Sequence, residues 1–145
     1  MAEDQSAIAL RPARQGDASA MFILVQELAV SYRPERATFD QNFPRLLGEN
    51  RQLLLVATRG GVVVGYVMAS ESMTLYANGP TTELMEMVVA PEHRGKGIGR
   101  MFIEAVIKWA SERGCKEVNV PSRRAGAYYM RHGFEDSAPR YRFPL

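Results

Sequence analysis

One cysteine and two histidines in 145 residues leave little room for thiol or metal chemistry. Cys115 has no intramolecular disulfide partner, and no Cys/His cluster shows zinc-ligand spacing. Long apolar runs are missing too, since none approaches the roughly 20 residues of a membrane-spanning helix. The start, Met1-Ala-Glu-Asp-Gln-Ser6, lacks the basic and apolar regions of a signal peptide. A reducing, cytoplasmic location is the resulting expectation. Repeats, linkers and low-complexity stretches are also absent. What is present is 46% hydrophobic and 23% charged, an ordinary globular make-up. The length fits a single domain, residues 1–145, with a core that needs no staples.

The net charge of +2 hides a split. Residues 1–90 carry 7 Lys+Arg against 10 Asp+Glu, and residues 91–145 carry 11 against 6. A basic back half has two readings, a solvated surface or a site for a polyanion.

Ile8 to Ala13 alternates and meets Pro12, which predicts an edge strand. Asp17 stands at a helix N-cap position before Met21, Leu24, Val25 and Leu28 at helical spacing, and Pro34 ends that helix. Phe39 to Leu47 is a weaker helix containing Pro44. Leu53–Thr58 and Val62–Met68 flank Arg59-Gly60-Gly61 as a hairpin. Asn78-Gly79-Pro80 is a chain break, followed by a strand from Glu83 to Val89. The longest helix is predicted over 97–113, with Gly114 as its C-terminal stop. Cys115–Val120 reads as a strand, 123–131 as a short helix, and Phe134 onward, with Tyr141-Arg-Phe143, as one or two final strands. The order describes an α/β domain with a mixed sheet.

The chemistry concentrates where the Glu83–Val89 strand meets the long helix, in Pro91-Glu-His-Arg-Gly-Lys-Gly-Ile-Gly-Arg100. The first N–H groups of a helix lack backbone partners, and the macrodipole adds positive potential. Gly95, Gly97 and Gly99 let an anion approach the backbone, and Arg94, Lys96 and Arg100 add full charges. That combination makes a phosphate cradle. It is neither a Walker A loop, which ends in Gly-Lys-Ser/Thr, nor the Gly-x-Gly-x-x-Gly dinucleotide fingerprint.

Arg94-x-x-Gly97-x-Gly99 resembles the pyrophosphate loop of the GNAT (Gcn5-related) N-acetyltransferases. Glu83-Leu-Met-Glu-Met-Val-Val89 resembles the family's fourth strand, and Ala125-Gly-Ala-Tyr-Tyr129-Met-Arg-His-Gly133-Phe134 its aromatic-Tyr-x-x-x-Gly-Phe segment. The resemblance implies the GNAT fold: a mixed, mostly antiparallel sheet splayed between strands 4 and 5 and flanked by about four helices. It implies acetyl-CoA as cofactor, direct transfer to a primary amine, no metal, and contacts to coenzyme A from Arg94, Gly95, Lys96, Gly97, Ile98, Gly99 and Arg100. Backbone groups of Met87, Val88 and Val89 would pair with the pantetheine arm, one N–H polarising the thioester oxygen. Tyr129 takes the general-acid position, a phenol of pKa about 10 facing a thiolate whose thiol lies near 8.5. Glu83 stands at the general-base position of the histone-modifying branch. Glu86 is the other choice, expected on the opposite strand face because side chains alternate. Ser122 replaces the cofactor-contacting Asn that the family often has, and Arg123 and Arg124 are candidates for the 3′-phosphate.

The expected partner is a small-molecule amine, with neither nucleic acid nor membrane, and a homodimer is compatible with the family. The acceptor pocket would be built from residues 31–50 and 73–82. A protein acceptor, a non-catalytic acyl-CoA-binding module and an Arg-rich nucleic-acid binder are the rival readings.

Overall fold

The computed structural model describes residues 7–122, 125–138 and 140–145. Its sheet runs β1 (Ile8–Pro12), β2 (Gln52–Arg59), β3 (Val62–Thr74), β4 (Gly79–Val89) and β5 (Val118–Asn119), in that spatial order. The first four strands are antiparallel neighbours, and β5 runs parallel to β4. Helices α1 (Ala18–Leu28) and α2 (Arg36–Leu47) cover one face. Helix α3 (Ile98–Glu112) covers the other, and α4 (Gly126–Arg131) lies beside it.

Period-two patterning in β3 explains the two cores. Tyr66 and Met68 pack with Met21, Leu24 and Phe43 on the α1–α2 face, while Val67 and Ala69 pack with Phe102, Ile103 and Val106 on the α3 face. At Gly65 an added Cβ would sit 2.8 Å from the Val88 carbonyl and 3.3 Å from the Phe102 ring. The absent side chain is what lets β4 and α3 close together there. The β2–β3 hairpin turns through Gly60 and Gly61, both at positive φ, as the sequence predicts. Gly114, at φ +74°, stops α3.

Several expectations need correcting. Asp17 is the N-cap residue of α1, as expected, but its side chain makes no capping hydrogen bond. It holds the preceding turn instead, accepting the Arg14 N–H at 2.9 Å and both Arg11 guanidinium nitrogens at 2.8 Å. The break does fall at Asn78, which closes the β3–β4 turn at φ +62°, but β4 begins at Gly79, earlier than expected, and pairs Pro80 with Met73. Beyond α4, no strand forms among the described residues, and Tyr141 and Phe143 are exposed. Their alternation has no sheet edge to join: β5 is only two residues long.

The Asp17 cluster ties the outer strand β1 to the start of α1, and Arg11 holds the Asp17 carboxyl below its ordinary range. A depressed carboxylate stabilises the fold above its unfolded pKa, and the gain is lost as pH falls through the folded value. Asp17→Asn is therefore expected to cost about 2 kcal/mol at neutral pH. In urea titrations its deficit against the wild type should shrink as the pH is taken below 4. A deficit independent of pH would refute the charge account.

Candidate active site

The phase of β4 against β3 decides what the strand presents. The Ala90 N–H donates to Val64 O at 2.8 Å, which marks that cross-strand pair as a hydrogen-bonded one. Antiparallel pairs alternate, so Val88 and Glu86 spend their backbone groups on Tyr66 and Met68. Met87 and Val89 point theirs the other way, toward the β5 side. There β5 pairs only with Thr82 and Glu83, so the last turn-ward residues of β4 form an open edge. Of the three residues predicted to offer backbone contacts, Met87 and Val89 face that edge, whereas Val88 faces β3.

The open edge runs into the glycine loop. Gly95 and Gly97 adopt left-handed φ of +74° and +86°, and Gly97 is the N-terminal cap of α3. Among the described residues no side chain bonds the first N–H groups of α3, and the first intrahelical bond at its start is from the Met101 N–H to Gly97 O. The amides of Ile98, Gly99 and Arg100 are thus unspent by the helix. A Cβ added at Gly95 or Gly97 would meet nothing within 4 Å, so the space over the loop is open. Lys96 and Arg100 are exposed beside it. Arg94 plays a different part: its Nε donates to Val89 O at 2.9 Å and its terminal nitrogen to Glu27 at 3.3 Å, binding the loop to β4 and α1. This donor set and this clearance fit a diphosphate.

Tyr129 lies on the α3 face of the sheet, half-buried against the same core as Met87 and Val89, with its ring 5.6 Å from that of Phe134. Burial raises its pKa, and Tyr128 adds to the effect. Tyr128 packs its hydroxyl against Gly99, where any Cβ would collide with it. Ser122 Oγ accepts the Ala125 N–H at 3.0 Å, so part of its hydrogen-bonding capacity goes to the turn before α4. Arg123 and Arg124 lie outside the described residues.

The two carboxylates do not sit as strand alternation predicts. A bulge at Met85 lets Glu86 oppose Met68 while Leu84 opposes Ala69. The inserted residue reverses the phase, so Glu83, opposite Ser70, and Glu86 share the α1–α2 face. Glu83 is engaged by the Arg140 guanidinium and does not line the cavity described next. Glu86 accepts the Tyr66 hydroxyl at 2.6 Å. Burial and the Glu86 charge raise the Tyr66 pKa far above its ordinary value, which keeps that phenol a donor.

Glu86 opens into a cavity of about 290 Å³ between α1, α2 and the sheet. Residues 34–46 supply much of its wall, and residues 73–82, the other stretch expected to build an acceptor pocket, supply none. Met21 and Met68 line it, while Met73 and Met85 are exposed. Tyr66 and Glu35 escaped notice in the sequence. Tyr66 sits inside an apolar strand and reads as core, although its shared parity with Met68 puts it on this face. Cys115 accepts a hydrogen bond from Thr82 Oγ1 at 3.2 Å and belongs to the packing at the end of α3.

The chain matches the model of the Acetyltransferase (GNAT) family over residues 19–134. It is 29% identical over 136 residues to the aminoalkylphosphonate N-acetyltransferase of Salmonella typhimurium, spanning 91% of this chain and 88% of that one. Its fold is similar to that of a transcriptional regulator from Bacillus halodurans C-125, with a TM-score of 0.88 and 21% identity over 96% of this chain and 100% of that one. The aminoglycoside N-acetyltransferase AAC(6')-Iy, solved in complex with CoA, superposes with a TM-score of 0.82 at 18% identity, over 100% of this chain and 99% of the other. Those two likenesses speak for the fold, and the family match goes further. The chain belongs to the GNAT acetyltransferase family and is an acetyl-CoA-dependent N-acetyltransferase.

Proposed function

We propose that this N-acetyltransferase acts on the primary amine of a small molecule. The observation that carries the reading is the cavity of about 290 Å³, open at its mouth and ending on Glu86, one residue from the open edge at Met87. A cavity of that size takes a small ligand, whereas a protein acceptor needs an open groove for its chain. The Salmonella relative, whose name specifies a small aminoalkyl substrate, supports the same class.

Acetyl-CoA, when bound, supplies an activated acetyl group. The amides of Ile98, Gly99 and Arg100, with Lys96 and the Arg100 side chain, would hold its diphosphate. The backbone groups of Met87 and the N–H of Val89, whose carbonyl is held by Arg94, would pair with its extended arm as an added strand pairs with an edge. Either N–H is suited to polarise a carbonyl oxygen there. An alkyl amine arrives mostly protonated, since its pKa is about 10. Glu86 Oε2 receives the ammonium and accepts its proton, directly or through water, while Tyr66 steadies Oε1. Across the sheet, Tyr129 Oη holds a proton for a departing thiolate, and the raised pKa keeps it there through neutral pH. The amine and the proton donor thus approach β4 from its two faces. Glu83 is the second reading for the base, favoured by its place in the strand, and it could act only once released from Arg140.

Three outcomes test this assignment. Gly97→Glu, which adds a carboxylate to the cradle, should weaken CoA binding by more than 100-fold in calorimetry. Unchanged affinity would remove the loop from the site. Tyr129→Phe should lower kcat about 100-fold with CoA affinity kept, and should abolish the decline of kcat at alkaline pH. A wild-type-like profile would end the general-acid role. Glu86→Gln should lower kcat/KM for the amine by about 100-fold, and Glu83→Gln by no more than about threefold. The reverse ranking would assign the proton to Glu83.

A further inference from the structure

The cavity that ends on Glu86 has a strongly one-sided chemistry. Phe39 and Phe43 stack in its wall with ring centroids 5.2 Å apart. Met21, Val25, Leu54 and Met68 add further apolar wall, and Thr38, Asn42 and Tyr66 are its uncharged polar residues. Its charged lining residues are Glu35 and Glu86, and no Lys, Arg or His of the described residues lines it. The adjoining hollow, which shares Asn42 and Leu46, brings Arg45 only in company with Glu49. Glu86 has one oxygen bonded by Tyr66 and keeps the other free for a cation.

Each class of amine meets these walls differently. A phosphonate or phosphate needs a guanidinium, an ammonium or a set of free N–H groups. Here it would lose its water beside two carboxylates. An aminosugar carries hydroxyls on most of its carbons, more than Thr38, Asn42 and the two carboxylates can partner in a wall made mainly of phenylalanine, methionine, leucine and valine. An ammonium on a short chain that ends in a ring or a branched alkyl group satisfies both parts of the cavity. The volume, at the low end of the roughly 300–1,000 Å³ of small-ligand pockets, limits the acceptor to about one ring.

We infer that the acceptor is a primary amine with an apolar body, an arylalkylamine or alkylamine, whose ammonium sits on Glu86 and whose body packs against Phe39, Phe43 and Met21. The inference rests on the small-amine reading above and narrows it. It sets this chain apart from its Salmonella relative, named for an aminoalkylphosphonate.

Initial rates with acetyl-CoA and phenethylamine, hexylamine, 2-aminoethylphosphonate and glucosamine decide the matter. Phenethylamine and hexylamine should exceed 2-aminoethylphosphonate about 100-fold in kcat/KM, because like charges face the phosphonate in the cavity. A preference for the phosphonate or the aminosugar overturns the inference. An Asn42→Arg variant, shown by thermal unfolding to be folded, should narrow that ratio at least tenfold by placing a cation at the wall. An unchanged ratio puts the acceptor elsewhere and overturns the inference. If no amine is acetylated, the small-amine reading fails, and calorimetry on CoA-loaded protein still decides the class. Phenethylamine binding that is lost in Glu86→Gln upholds it. Equal or tighter binding of 2-aminoethylphosphonate, or no binding of any amine, overturns it.

Discussion

The hydrogen bond from the Ala90 N–H to the Val64 carbonyl sets the phase of β4, and the rest of the site follows from that phase. Because an antiparallel ladder alternates, it commits Val88 and Glu86 to β3 and leaves the Met87 backbone groups and the Val89 N–H unspent, the Val89 carbonyl being taken by Arg94. A backbone N–H in that position needs a partner or water. The two-residue pairing of β5 with β4 stops at Glu83, short of the residues concerned. Gly65 makes this arrangement compact, since a side chain there would press on the Val88 carbonyl and the Phe102 ring together.

The same strand distributes charge between its faces. On the α3 side lie the unspent amides of the helix start, the cations of the loop and Tyr129, an environment suited to a polyanion and to a neutral phenol. On the α1–α2 side lie Glu86, Glu35 and an apolar cavity, suited to a cation with a hydrophobic body. Arg94 joins the two halves by bonding both Val89 O and Glu27 of α1. On the proposed reading the carboxylates of the acidic front half and the cations of the basic back half serve different sides of the reaction, and the cations that read as either surface or site gather in part around one loop.

Much of this was legible in the residues. The glycine loop announced itself because positive φ and a free helix start leave a local trace at Gly95 and Gly97, and Gly114 marked the end of α3 by the same positive φ. The β2–β3 hairpin did so for the same reason. The relation of Glu83 to Glu86 was not legible: the bulge at Met85 reverses alternation, and no residue type demands it. Asp17 looks like a cap in sequence because its partner Arg11 is on another element. The alternation Tyr141-Arg-Phe143 describes a strand that lacks a sheet edge among the described residues, and local pattern carries no information about edges. Tyr66 was hidden by its neighbours, as a polar tip in an apolar strand is read as core until its hydroxyl's partner is known.

The account stands on the backbone of β4 having one spent and one open edge, and amide hydrogen exchange measures that directly. In the free protein the N–H groups of Glu86 and Val88 should exchange slowly and those of Met87 and Val89 much faster. Addition of CoA should slow Met87, Val89, Ile98, Gly99 and Arg100 together while leaving Glu86 and Val88 as they were. Slow exchange at Met87 and Val89 before CoA is added, or exchange there that CoA does not change, would contradict the account at its foundation.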